Sequence, residues 1–167
     1  MKSTMDTACP GARPDAMIRA EDALGAFMLD GIPLARAMAI SVGAHDGESL
    51  TLHAPLGPNI NDKGCAFGGS LASVMTLAGW GLVKLAADAR SIACEIYVQD
   101  TLVRYLAPVW EDFHATAHLT HGDTLAGFFE ALTTRGKGRV RVRSVVPLAD
   151  GSAAATLDAR FVALAKR

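Results

Sequence analysis

PNINDKGCAFGGSLASVMTLAGWGLVKLAA, the stretch from Pro58 to Ala87, decides how the rest of the chain must fold. It opens as a loop, because Pro58, Asn59, Asn61, Asp62 and Gly64 are all turn formers. From Phe67 it turns into an apolar run in which Gly68, Gly69, Ala72, Ala78, Gly79 and Gly81 alternate with Leu71, Val74, Met75, Leu77, Trp80, Leu82 and Leu85. A helix apolar on every side is expected to be buried on every side. Its glycines let neighbouring backbone approach closely. No charge falls between Phe67 and Val83, so a membrane span is the rival reading. Gly, Ser and Thr dilute that span, and its flanks read as strands. The sequence therefore predicts a central helix wrapped by sheet.

The flanking segments supply the sheet. Before the loop, Met38, Ile40 and Val42 form one apolar face and Leu50, Leu52 and Ala54 another, with Asp46-Gly47 as the hairpin turn between them. After the helix, Ile92 to Leu106 reads as a long strand ended by Pro108. Phe113, Ala115, Ala117 and Leu119 alternate with His114, Thr116, His118 and Thr120 in a half-buried strand. Leu125, Phe128, Phe129 and Leu132 keep helical spacing, which predicts a helix over Asp123 to Arg135 capped by Gly136. Val140, Val142 and Val146 then alternate with Arg139, Arg141 and Arg143, and Asp150-Gly151 turns the chain into a closing strand from Ala153 to Ala165. A further helix, capped by Asp15 and carrying Met17, Ile18, Leu24, Phe27 and Met28 as a stripe, comes first and stops at Gly31 and Pro33. The class is α+β: an antiparallel sheet around one long apolar helix.

With 167 residues and 50% hydrophobic content the chain has enough for one sizeable core. A formal net charge of -1 excludes a general attraction to nucleic acid or anionic membrane. Cys9, Cys65 and Cys94 are odd in number and lack metal-ligand spacing, which fits a reducing cytoplasm. His114 and His118 share a strand face about 13 Å apart, too far to hold one ion, so no metal is expected. Residues 1–14 read as a polar tail without a signal-peptide core, and residues 15–167 as the single domain.

The words APLGPN, KG, AFGGSLAS and LAGWG, followed by QDTLVRYLAPVWEDFHA, resemble the hotdog-fold thioesterases. The nearest resemblance is to the thioesterase domain of the YiiD C-terminal type, fused behind an acetyltransferase in some bacterial proteins. Here it is expected to stand alone. The resemblance implies a hotdog fold and hydrolysis of an acyl thioester carried by coenzyme A or acyl carrier protein. Coenzyme A enters as part of the substrate, with no separate cofactor. It also implies a homodimer or a dimer of dimers. A non-catalytic acyl-CoA-binding module is the alternative.

By position in the resembling motif, Gly68 offers its N–H to the thioester carbonyl, Phe67 and Gly69 line the substrate, and Asn61 holds the attacking water. The family's acid position falls on Thr76, which cannot act as a carboxylate base. Phe67 stands where many relatives carry His. The pattern raises Asp100 as the missing acid, because Ile92, Cys94, Ile96, Val98, Leu102 and Leu106 share its strand parity and so aim it at the apolar side. A structural acid, or a bulge that flips the parity, is the competing reading. Asp62 is the other nearby acid. Asn61 reads equally as a turn residue, and Thr76 as a hydroxyl bonded back into its helix. Arg139, Arg141 and Arg143 form either a solvated strand face or an edge for the phosphates of coenzyme A or acidic carrier protein.

Overall fold

The computed structural model describes residues 14–166 of the chain. Residues 1–13 of the expected tail, Cys9 among them, lie outside the described residues, as do the side chains of Asp15, Met17 and Ile18 in the first helix. That helix, α1 (Pro14–Gly31), leads through Ile32 into a second short helix, α2 (Pro33–Ala37), which the sequence reading missed. Pro33 ends the first helix and starts the second, since its ring fits the first helical turn and its absent N–H costs nothing there.

Hydrophobic alternation then builds the sheet. Strands β1 (Ser41–His45) and β2 (Ser49–Ala54) form the predicted hairpin. Its turn takes Gly47 at φ +92°, and Asp46 Oδ1 accepts the N–H groups of Glu48 and Ser49. The helix α3 (Gly68–Asp88) follows the loop. Then come β3 (Cys94–Tyr105), β4 (Phe113–Leu119), α4 (Leu125–Arg135), β5 (Lys137–Pro147) and β6 (Ala153–Ala165). Thr124 caps α4 by accepting from Gly127 N–H, and Gly136 closes it in the left-handed conformation at φ +69°.

The six strands pair antiparallel in the order β1-β2-β4-β5-β6-β3. Their inner faces supply Leu50, Leu52, Ala115, Ala117, Val140, Val142, Leu157 and Phe161, all fully buried against α3. Burying the leucine, valine and phenylalanine side chains among them is worth roughly 1.5–3 kcal/mol each. Gly79 shows how tightly the layers meet: a Cβ there would lie 2.8 Å from the Phe161 ring. Ser144, buried on β5, donates its hydroxyl to Met75 O and ties the helix to the sheet at 2.9 Å.

The helix α3 is long and apolar enough to cross a bilayer, yet the sheet encloses it and two-thirds of its most apolar window is buried in the protein. The expectation of burial on all sides needs one correction. Ala72, Ser73, Thr76, Leu77, Trp80 and Lys84 are only half-buried, and at 100° per residue they form one continuous stripe. That stripe faces β3, which is an edge strand paired only to β6. Tyr97, Val98, Leu102 and Tyr105 on β3 are exposed, leaving an apolar edge uncovered in the single chain.

Candidate functional site

The loop before α3 is held at three points, and each fixes where the helix begins. Asn59 is buried and donates Nδ2 to the carbonyls of Met38 (2.9 Å) and Pro55 (2.7 Å). Its own carbonyl accepts Phe67 N–H at 2.7 Å, while Ala66 N–H reaches Val109 O at 2.7 Å. Gly64 takes φ +87°, a backbone conformation that suits glycine. Phe67 is extended at the helix boundary and provides no side-chain cap, and no acidic residue stands in the first turn. Among the described residues no acceptor meets the N–H groups of Gly68, Gly69 or Ser70. These donors and the helix dipole make a place suited to developing negative charge.

Tyr105 stands over this helix start and donates its hydroxyl to Gly68 O at 3.0 Å. Phe67, Tyr105, Leu106, Trp110 and Ile60 are each about half exposed or more, so the mouth is apolar and open. The sequence reading passed over Tyr105 and Asn59. The first carried a signal, as the aromatic of the YLAPV word. The second was one of two asparagines that fitted a turn equally well.

The structure separates the predicted residues. Gly68, Gly69 and Phe67 sit together at the helix start. Asn61 lies in the same loop, but its side chain closes a turn: Oδ1 accepts Lys63 N–H at 2.8 Å and Cys65 N–H at 3.3 Å, and Nδ2 donates to Cys65 Sγ at 3.2 Å. Thr76 donates its hydroxyl back to Ala72 O at 2.8 Å. Asp62 is exposed and paired with Lys63.

Asp100 requires a correction. The β3–β6 register slips between Val98 and Asp100, so that Val98 opposes the buried Phe161 while Asp100 opposes Arg160. Gln99 is the extra residue of this bulge, and it reverses the parity the sequence suggested. Thr101, Val103 and Tyr105 therefore take the helix side, and Asp100 points to the opposite face, 3.7 Å from Arg160 Nε. The parity argument for bringing its carboxylate to the helix start is lost.

The arginines occupy that same outer face. Arg141 pairs with Asp123 at 2.9 Å, Arg143 with Asp158 at 3.2 Å, and Arg139 donates to Gln99 at 3.1 Å. Arg104 reaches Asp158 from the other side at 3.8 Å. The face is largely self-neutralised, and the sheet separates it from the helix start. His114 packs against His53 across β2 and β4, with ring centroids 5.5 Å apart, and burial together with His53 holds its pKa below the usual imidazole value. Among the described residues no group of three or more His, Cys, Asp or Glu is placed to hold a metal.

The fold and the sequence both have relatives. A protein of unknown function from Chlorobaculum tepidum is 30% identical over 89% of this chain and 96% of its own, with a TM-score of 0.84. A structure described as a "putative thioesterase" from Shewanella oneidensis is 28% identical, covers 89% of this chain and 99% of its own, and has a TM-score of 0.78. A probable thioesterase from Pseudomonas aeruginosa, 16% identical over 87% of this chain and 95% of its own, shares the fold with a TM-score of 0.74. The family model described as "Putative thioesterase (yiiD_Cterm)" matches residues 21–165, from within α1 through β6. The chain belongs to that family, and its fold is the hotdog fold.

Proposed function

We propose that the protein hydrolyses an acyl thioester, with coenzyme A or acyl carrier protein as the thiol carrier. The observation that carries this reading is the uncapped start of α3, where Gly68, Gly69 and Ser70 offer unpaired N–H groups at an apolar, open mouth. In the reaction, water adds to the carbonyl carbon and charge gathers on the carbonyl oxygen. The C–S bond then breaks, and the thiol leaves with a proton. Each well-aimed donor to that oxygen is worth about 3–4 kcal/mol in barrier. Asn61 serves the site by holding the loop in shape, and Tyr105 by fixing the first helical turn from above.

Neither acid that the sequence nominated is held over the helix start: Asp100 faces away, and Asp62 pairs with Lys63 at the surface. Polarisation at the helix end then does most of the work, and general-base help worth about a hundredfold or more is missing unless a second copy supplies it. The uncovered β3 edge supports a symmetric dimer as the working unit, because an exposed apolar edge strand calls for a cover. The same missing base favours one second reading, a non-catalytic acyl-CoA-binding module.

A panel of acyl-CoAs and acyl carrier proteins assayed for thiol release, with binding measured on the same panel, tests the proposal. Turnover above the uncatalysed rate supports hydrolysis. Binding without turnover selects the module, and neither refutes both.

A further inference from the structure

His114 gains from the fold a partner that its own strand could not supply. Along β4 the next histidine, His118, sits on the same face but too far away to share an ion. Antiparallel pairing instead sets His53 of β2 directly opposite His114. Leu52, Ala54, Phe113 and Ala115 alternate with these two and are buried in the core, so both imidazoles stand on the outer face of the sheet. His53 is exposed and His114 half-buried.

The platform beneath them is held firmly. Strands β2 and β4 are interior, each paired on both sides. Two residues along, the Thr51 and Thr116 hydroxyls hydrogen-bond to each other at 2.8 Å on the same face and clasp the register. On β1, Gly43 makes room for the His53 ring, since a Cβ there would come 2.5 Å from its Nε2. A glycine inside a strand suits such a close approach.

The spacing of the rings fits a shared ion. Their centroids are 5.5 Å apart with planes at 48°. A metal bound at about 2.0–2.1 Å by one nitrogen of each ring, at an angle of about 90–109°, holds the ring centres about 4.5–5.2 Å apart. The observed separation is close to the upper end of that range. Rotation about χ2, which is broad for histidine, turns a nitrogen of each ring toward the common point. Charge favours a cation as well. His114 lines a surface recess with Glu111, Asp112 and Asp150, and no Lys or Arg is among its lining residues. His118, by contrast, stands opposite Arg143.

We propose that His53 and His114 form a binding site for a late first-row divalent metal ion, with Cu²⁺ held most tightly and Ni²⁺ and Zn²⁺ more weakly. Imidazole nitrogens suit these ions, whereas Mg²⁺ and Ca²⁺ take oxygen ligands. Among the described residues no third His, Cys, Asp or Glu completes a cluster, so water fills the remaining positions. The site is an exchangeable two-armed chelate that ties β2 to β4, unlike a structural zinc with four protein ligands. It lies across the sheet from the core helix and is independent of the hydrolytic reading.

The test uses untagged protein stripped of metal by a chelator and dialysed free of it. Calorimetry with Cu²⁺, Zn²⁺ and Mg²⁺ is run on wild type, His53→Ala, His114→Ala and His118→Ala. Wild type is expected to bind one Cu²⁺ with micromolar affinity, Zn²⁺ less tightly and Mg²⁺ not at all. A chelate that loses one arm also loses the benefit of linkage, so His53→Ala and His114→Ala should each weaken Cu²⁺ at least about tenfold. His118→Ala should leave it within twofold.

Two readouts report the geometry itself. The electron paramagnetic resonance spectrum of bound Cu²⁺ should show coupling to two imidazole nitrogens in wild type and to one in His53→Ala. Zn²⁺ should raise the urea midpoint of wild type and not that of His53→Ala. His53→Gln and His114→Gln take the place of an alanine variant that fails to fold. No Cu²⁺ binding by wild type, undiminished affinity in His53→Ala, a one-nitrogen spectrum in wild type, or an equal loss in His118→Ala would each overturn the site. Any copper still bound in those cases sits on single surface histidines.

Discussion

Changing Asp100 to Asn separates a catalytic carboxylate from a surface one, because the two predict effects of different size. In the structure Asp100 lies past the bulge, more than half exposed, with its carboxylate 3.7 Å from Arg160 Nε and that arginine 43% exposed. Exposed pairs of this kind contribute roughly 0–1 kcal/mol, and the amide keeps the shape and part of the hydrogen bonding. The expected loss of stability is therefore under about 1 kcal/mol, and kcat should change less than twofold. Removing a general base would instead cost about a hundred- to ten-thousandfold in rate, or about 3–5 kcal/mol of barrier. The assay is thiol release under saturating acyl-CoA, paired with urea unfolding on the same sample. A loss of kcat of tenfold or more with an unchanged urea midpoint would refute the reasoning. It would mean that assembly, and not the register within one chain, decides where this carboxylate acts.

Two further outcomes follow from side chains whose partners are fixed. Asn59→Ala leaves the Met38 and Pro55 carbonyls without their buried donor and should cost about 2–3 kcal/mol, read as a lowered urea midpoint with faster amide exchange at Phe67, whereas Asn61→Ala, at a half-buried turn, should cost about half as much. His114 is held below its unfolded pKa by burial and by His53, so the folded state binds fewer protons than the unfolded chain; its contribution is full above the unfolded value and is lost as pH falls through the lower folded value. The urea midpoint of wild type should therefore drop between pH 7.5 and 5, and His114→Gln should flatten that drop; an equal slope in both would refute the assignment.

The sequence by itself determined the layers. Alternation with period two cannot sit still as a helix, and an uncharged run with helical small-residue spacing cannot stay in water, so the order of strands and helices was legible from Asp46-Gly47 to the closing strand. The start of the site was legible too, because Gly64, Phe67, Gly68 and Gly69 announce where loop becomes helix. The short helix α2, opened by Pro33, was not legible, since five residues give no period to read.

Only the tertiary structure decided which side chains meet. Parity along β3 pointed Asp100 inward, but one extra residue at Gln99 turns every later side chain to the other face, and a bulge is set by pairing with β6, not by the strand's own letters. Asn59 and Asn61 are two residues apart in one loop and look alike in sequence, yet one is buried under the Met38 and Pro55 carbonyls, just past α2 and β2, while the other closes its own turn. Trp80 reads as one more apolar residue of α3 until Phe27 and the Ile96 carbonyl are brought against it. Local pattern fixes which face of an element is apolar. What that face touches depends on register and packing between segments far apart in the chain, and those are properties of the folded whole.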